Sequence, residues 1–457
     1  MNAPHSPAYD GDPPSRVVAF YRQRGGGVEI ANAPVLDGET AELPPRDRLK
    51  GCGLRLFGAD GLEYLDAVSG TFNLSLGYNH PAVVRGVRAQ LERIVHISSH
   101  FSGEVVETVK RKLLAHAPPG IDAVWLRDVT GSTAVEGAIK FAQKYTGKTD
   151  VISLFHSHHG QTAYTTAISG NAFRRANQPD ATSSHSIKVP APYCHRCFFG
   201  AEYPGCGLPC VSRIQDFIDY ASSGRVAAVI VEPVQGNGGN IVPPHGYFDE
   251  LRALCDRNGM LLILDEVQTG IGRTGHMYAS ETFGIRPDLV VIAKGLGGIG
   301  IPVAAILMRS PLLVLDGHEH SFTSGANLVA LAAAEATLDT ITAPGFLENV
   351  RRKSILLRRC LESIGRDSQI VSDVRGVGFM WGLEVVDAAR RPSSEVTERI
   401  IEVALRKHRL ILRNARYGRG NVLKVRPALV ATEADLIEIT QRLREAIAEV
   451  EDGVTRE

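Results

Sequence analysis

The feature that most constrains this chain is a series of short, unbroken apolar runs through its middle, at 124–126, 151–154, 226–231, 260–264, 289–293 and 303–308. Each is bounded by Gly, Pro, Asp or Ser, and stretches with helical periodicity, such as 134–145, lie between several of them. A strand with one wet face alternates apolar and polar residues, whereas a strand that is apolar throughout must be covered on both faces. Buried strands alternating with helices describe an α/β layer built on a largely parallel sheet.

The flanks read differently. Residues 54–68 alternate around Ala59-Asp60-Gly61, which predicts a small hairpin. Asn79-His80-Pro81 opens a helix with Val84, Val87, Leu91 and Ile94 as its expected apolar face, and a second helix follows Ser102 and ends before Pro118-Pro119. After about Thr337 the chain becomes more charged and helical, residues 374–386 form a Gly-punctuated strand region, and Thr432-Glu433-Ala434-Asp435 has the pattern of a capping box. Leu436, Ile439, Leu443 and Ile447 then lie on one helical face. The expected organisation is a disordered start over 1–15, the N-terminal part of a small domain over 16–75, a large domain over 76–336, and the rest of the small domain over 337–457.

Composition removes several classes of function. Formal net charge is +0 and no basic block is present, so no field favours nucleic acid. No apolar run reaches the roughly 18 residues of a membrane-spanning helix. The first fifteen residues lack the basic-then-apolar order of a signal peptide, and the seven cysteines are an odd number. Both point to a reducing cytoplasm.

Two polar residues stand at the ends of apolar runs: Asp265 in Leu261-Leu-Ile-Leu-Asp265-Glu-Val-Gln268 and Lys294 in Ala293-Lys294-Gly295. Active sites of open parallel sheets lie at that edge. A Lys desolvated there has a lowered pKa and serves as an amine nucleophile, and an Asp there pairs with a protonated ring nitrogen. Pyridoxal 5'-phosphate needs both, one for a Schiff base and one for its pyridinium. Alone, the pair also fits a strand-end cap and a solvated lysine.

The rest of the chain resembles the class III aminotransferases, the ω-aminotransferase or ornithine-aminotransferase-like group, from about Leu54 to Ala448. Gly131-Ser132-Thr133 resembles the family's phosphate-binding turn, and a helix N-terminus with hydroxyls suits an anion. His158-His159-Gly160 matches the motif whose first residue stacks on the pyridine ring; the family usually has an aromatic where this chain has His158. The resemblance implies that Glu232 of Glu232-Pro233 lies beside the reactive centre, that Asp265 meets the ring nitrogen, that Val267 covers the ring face opposite His158, and that Gln268 approaches the ring hydroxyl. Thr323 matches the threonine that reaches the partner subunit's phosphate, which implies a homodimer. Lys424, with Arg426 two residues on, falls where many members hold a substrate carboxylate by an Arg.

The resemblance further implies fold type I, with a mostly parallel seven-stranded sheet and a smaller α/β domain from both chain ends. The activity it implies is ping-pong transfer of an amino group from a primary amine or amino acid to a 2-oxo acid or other carbonyl, with Lys294 moving the proton. A phospho-lyase, racemase or decarboxylase on the same fold is the alternative outcome.

Two motifs mislead. Gly295-Leu-Gly297-Gly-Ile-Gly300 spells a dinucleotide fingerprint, but a strand follows it where the fingerprint needs a helix. Cys194-His-Arg-Cys197 and Cys206-Gly-Leu-Pro-Cys210 have the spacing of a structural metal site and equally of a loop of free thiols, and no metal ligand is assigned there.

Overall fold

A computed structural model describes residues 49–58, 61–99, 101–171, 185–415 and 418–454, all within the compact unit Pro45–Glu457. The expected disordered start over 1–15 and the hairpin tip Ala59-Asp60 lie outside the described residues.

The strands are β1 (Lys50–Cys52), β2 (Arg55–Phe57), β3 (Glu63–Asp66), β4 (Ala123–Asp128), β5 (Asp150–Leu154), β6 (Ser186–Val189), β7 (Val226–Val231), β8 (Leu261–Asp265), β9 (Leu289–Ile292), β10 (Ala304–Met308), β11 (Val371–Val377), β12 (Met380–Val385), β13 (Leu410–Ile411), β14 (Arg413–Asn414) and β15 (Val422–Val425). Seven of them form the central sheet in the order β4-β10-β9-β8-β7-β5-β6. Pairing is parallel from β9 through β8, β7 and β5 to β6, and antiparallel where β10 meets β9 and β4. All six apolar runs become strands of this sheet, and β5, β7, β8, β9 and β10 are buried at every position. The seventh strand, β6, was not anticipated; its sequence, SIKV, is too short and too polar to stand out.

Alternate strand residues feed two apolar layers. Ala228, Ile230, Leu261, Ile263, Leu289 and Val291 pack with Ala134, Ala138 and Phe141 of the helix Gly131–Thr146. Val229, Val231, Leu262, Leu264, Val290 and Ile292 belong to the larger core with Leu251 and Leu254 of the helix Tyr247–Asn258 and Leu331 of the helix Leu328–Ile341. Burial from both sides is why these strands carry no polar alternation.

The other two sheets come from the flanks. β1, β2 and β3 are antiparallel, and β13 joins β3 in parallel. β11, β12, β15 and β14 form an antiparallel sheet that places Lys424 opposite Gly382 and Arg413. The predicted strand region at 374–386 is the β11–β12 hairpin, and Thr432 caps the helix Glu433–Val454 through Asp435.

One expectation is corrected. The helix Pro81–Leu91 begins at the expected proline, but it buries Val83 and Gln90 and packs Val87 against the core; Leu91 and Ile94 are exposed, and Ile94 lies beyond the helix end. Apolar spacing alone does not say which face meets the core. No helix among the described residues is long and apolar enough to cross a membrane.

Candidate active site

Strand register builds the centre. β8 ends at Asp265, which pairs with Val291 of β9, and the chain reaches Lys294 just after β9 ends at Ile292. Lys294 has a positive φ of 41°, an uncommon conformation for a residue other than glycine. The turn Lys294–Gly297 leads to strand β10, so the glycine-rich dinucleotide spelling has no helix behind it.

The Lys294 amine has no hydrogen bond or ion pair among the described residues. Burial pushes its pKa down to about 8, although Asp265 and Glu232 nearby oppose the shift; Arg426 adds to it. Glu232 is buried at the end of β7, its Oε1 accepting from the His158 backbone N–H at 2.8 Å and its Oε2 from Gly236 N–H at 3.0 Å. Burial raises its carboxyl to about 7, with Asp265 adding to the rise and His159 opposing it. Asp265 Oδ1 accepts from Val267 N–H at 3.1 Å, and Oδ2 lies 2.8 Å from His159 Nδ1.

The helix start at Gly131 closes on this centre. Thr130 caps it by accepting from Thr133 N–H at 3.3 Å, and no acidic residue occupies its first turn. Ser132 Oγ accepts from Gln161 N–H at 3.1 Å, which joins this turn to the loop of His158 and His159. A Cβ at position 131 would stand 2.9 Å from Val267 Cγ1, so glycine lets Val267 lie against the helix start.

A second group of cations comes from β15. Lys424 is 2% exposed, and its Nζ donates to Asn237 Oδ1 at 2.8 Å and stands 4.9 Å from the Phe72 ring centre. Burial drives its pKa well below the usual lysine value, with Arg426, Lys294 and Arg413 adding to the shift. Arg426 lies 4.4 Å over the same ring and donates to Gln268 Oε1, Gly236 O and Asn240 Oδ1. Its hydrogen-bonding fork is therefore largely engaged by the protein, whereas Lys424 keeps donors to spare. Phe72, Asn237, Asn240 and the His159–Asp265 contact escaped sequence reasoning. His159 carried a signal, since it stands inside the motif quoted for His158; the others carried none.

Lys294, Asp265, Glu232, Val267, Gln268, Lys424 and Arg426 are thus drawn together, with Gly131 against Val267, Ser132 tied to the 158–161 loop, and His158 on Glu232. Thr323 is not among them: it is exposed and makes no hydrogen bond to any of these residues. The cysteine loop is held to β12 by Tyr193 and Arg196, both donating to Glu384. Its four thiols are free, and among the described residues no group of three or more His, Cys, Asp or Glu is arranged to hold a metal ion.

Pyridoxal 5'-phosphate fits this arrangement. A half-buried amine with no partner among the described residues suits its aldehyde, an acid-free helix start with backbone N–H groups suits its phosphate, and a carboxylate at a sheet edge suits its ring nitrogen. Sheet and site together define a pyridoxal-phosphate enzyme of fold type I. The chain belongs to the class III aminotransferase family, whose model matches residues 40–447, and pyridoxal 5'-phosphate is its cofactor. Among similar proteins, the leucine/methionine racemase of Thermococcus litoralis is 34% identical over 394 residues, covering 86% of this chain and 88% of the relative. The acetylornithine aminotransferase of Methanopyrus kandleri is 37% identical over 347 residues, covering 76% and 82%. An amine transaminase from an uncultivated Pseudomonas species, solved in its PLP-bound form, superposes with a TM-score of 0.81 at 28% identity, covering 92% of this chain and 99% of that one.

Proposed function

We propose that this aminotransferase takes its amino group from a carboxylate-bearing amine, with Lys294 moving the proton and Lys424 receiving the carboxylate. The observation that carries the reading is the Lys294 amine, unpaired among the described residues, with Asp265 and Glu232 beside it and a second buried cation at Lys424. The cofactor, when bound, supplies an aldehyde that condenses with amines and a ring that accepts the electron pair released at the substrate carbon. Lys294 Nζ, with its low pKa, would take the proton from that carbon and deliver it to the carbon of the cofactor's former aldehyde. Asp265 would hold the ring nitrogen and Gln268 the ring hydroxyl. Gly131, Ser132 and Thr133 would receive the phosphate, while His158 and Val267 would cover the ring. Arg426 stiffens Gln268 through its hydrogen bond.

The same reading makes the protein a cytoplasmic homodimer in which Thr323 completes the partner's phosphate site. Two observations favour it: Thr323 is exposed, and Leu91, Ile94, Val95, Ile97 and Phe101 form an exposed apolar stretch. Free thiols throughout suit a reducing compartment. The small domain would then join both chain ends, 16–75 with 337–457, in keeping with the pairing of β13 on β3.

The test is the absorption spectrum of purified protein while primary amines are added without an acceptor. Conversion of the aldehyde form of the cofactor to its amine form by an amino acid, and not by its decarboxylated amine, supports the reading; a bound cofactor that no amine converts overturns it. Racemisation is the second reading, favoured by the likeness to the Thermococcus racemase. It predicts formation of the opposite enantiomer without any acceptor and without net conversion of the cofactor.

A further inference from the structure

The Asn237 side chain that holds Lys424 stands on a loop with little stiffness of its own. Residues 236–240 read Gly-Asn-Gly-Gly-Asn and lie in no strand or helix. The loop is closed at its base, where Gln235 and Ile241 exchange backbone hydrogen bonds of 3.0 and 3.3 Å. Gly239 takes a φ of 116°, a conformation that suits glycine. Glycine-rich backbone loses much freedom when it is ordered, so the groups that pin this loop decide where Asn237 stands.

Its near end is pinned by residues of the site: Gly236 N–H donates to Glu232 at 3.0 Å, and Arg426 donates to Gly236 O and to Asn240 Oδ1. Its far end is pinned by Arg375 of β11, whose Nε donates to Gly239 O at 2.9 Å. Strand register explains the reach. Arg375 pairs with Gly382 of β12, and Gly382 pairs with Lys424 of β15. Directly paired residues share a face, so Arg375 and Lys424 project from the same side of the sheet, two strand spacings or about 9.6 Å apart. Gly382 keeps the gap between them open. A Cβ there would stand 3.1 Å from Asn240 Cβ and 3.2 Å from Gly239 O, so the loop backbone lies between the two cations.

Arg375 is itself anchored. Its Nη1 donates to Asp373 and, at 2.8 Å, to Glu384 Oε2, and its guanidinium stands 4.8 Å from the Tyr193 ring centre. Glu384 also accepts from Tyr193 and Arg196. Burial works to raise the Glu384 carboxyl, but Arg375 and these hydrogen bonds pull it down to about 2, so the anchor stays charged at working pH.

We propose that Arg375 is a positioning residue for the substrate carboxylate: by holding Gly239 O it fixes the loop that presents Asn237 to Lys424, and so sets where the Lys424 ammonium stands. This rests on the reading of Lys424 as the carboxylate's partner. Arg375 acts through the loop, since its hydrogen bonds go to Gly239, Asp373 and Glu384 and not to Lys424.

The test compares Arg375→Lys, which keeps the charge beside Glu384 but has no donor where Nε stood, with Arg375→Met, which loses both. In the holoenzyme, Arg375→Lys should raise KM for a carboxylate-bearing donor by about 3- to 10-fold, the value of one ordinary hydrogen bond, while kcat moves less than about twofold. Its thermal stability should stay near that of the unaltered protein, whereas Arg375→Met should lose stability as well. Recovery of both stability and KM by Lys overturns the proposal, because charge alone would then suffice. In a Lys424→Met background the effect of Arg375→Lys on kcat/KM should vanish; an undiminished effect overturns the proposal. A Lys424→Met protein that handles carboxylate donors normally would instead overturn the reading of Lys424. A crystal structure of Arg375→Lys then decides the positioning directly: Asn237 displaced from Lys424 supports it, and Asn237 unmoved overturns it.

Discussion

The Lys424 ammonium donates to the Asn237 side-chain oxygen at 2.8 Å above the face of Phe72, and among the described residues no carboxylate pairs with it. Arg426, Lys294 and Arg413 surround it with like charge, and Glu232 is the acidic group that opposes them. A buried lysine in such company loses its proton at a lower pH than an ordinary lysine does. The cation is therefore present below its depressed pKa and lost above it. KM for a carboxylate-bearing donor should rise with pH, while KM for an amine without a carboxylate should stay level across the same range. Lys424→Met should lower kcat/KM for the carboxylate donor by about 10- to 150-fold, the value of a charged hydrogen bond, and should abolish the difference in pH response. A pH series of KM on both substrates checks this.

Lys294 gives a second pH dependence. With its pKa pushed down to about 8, the neutral amine is plentiful above that pH and scarce below it. Uptake of pyridoxal 5'-phosphate by apo-protein should accelerate as pH rises toward about 8 and then level off, where an ordinary lysine would keep accelerating toward about 10.4. Borohydride reduction should fix the cofactor to the peptide containing Lys294. Lys294→Ala should lose that adduct and at least about 10³-fold in turnover.

Gly131 and Val267 are matched in size. Gly131→Ala brings a methyl group to 2.9 Å from Val267 Cγ1, and overpacking of this kind costs about 1–3 kcal/mol. Cofactor affinity and thermal stability should both fall. Adding Val267→Ala should recover part of the stability, because it removes the atoms that collide. Thermal unfolding of the two single variants and the double variant measures that coupling.

Subunit mixing tests Thr323. Lys294→Ala and Thr323→Ala proteins, each weak alone, should regain activity when unfolded together and refolded. A mixed dimer then holds one site with an intact Lys294 and an intact partner Thr323. Activity that remains the sum of the two parents would show that Thr323 does not serve the other subunit.

Much of this arrangement was legible in the sequence because it is local. β7, β8, β9 and β10 announce themselves as apolar runs, and Asp265 and Lys294 stand at their ends. The helix start at Gly131 and the cap at Thr432 carry their own side-chain signals. Long-range partners were not legible. Phe72 meets Lys424 and Arg426 from the other end of the chain, and Asn240 meets Arg426 across sheets; no spacing rule connects them. The exposed Leu91 and Ile94 mark the same limit, since periodicity finds an apolar stripe without saying what covers it.

The pairing of Asp265 with Val291 works as a ruler laid across two strands. The Lys294 amine and the Asp265 carboxylate follow successive strands, and the hydrogen-bond ladder between β8 and β9 sets their separation. A slip of one residue would turn the slipped strand's side chains to the opposite face, and a slip of two would carry the amine about 6.6 Å along the edge. Apolar contacts on both faces of these strands resist either slip. The hydrophobic layers therefore hold the catalytic tolerance as well as the fold, and substitutions deep in β8 or β9 should blunt catalysis before they unfold the protein.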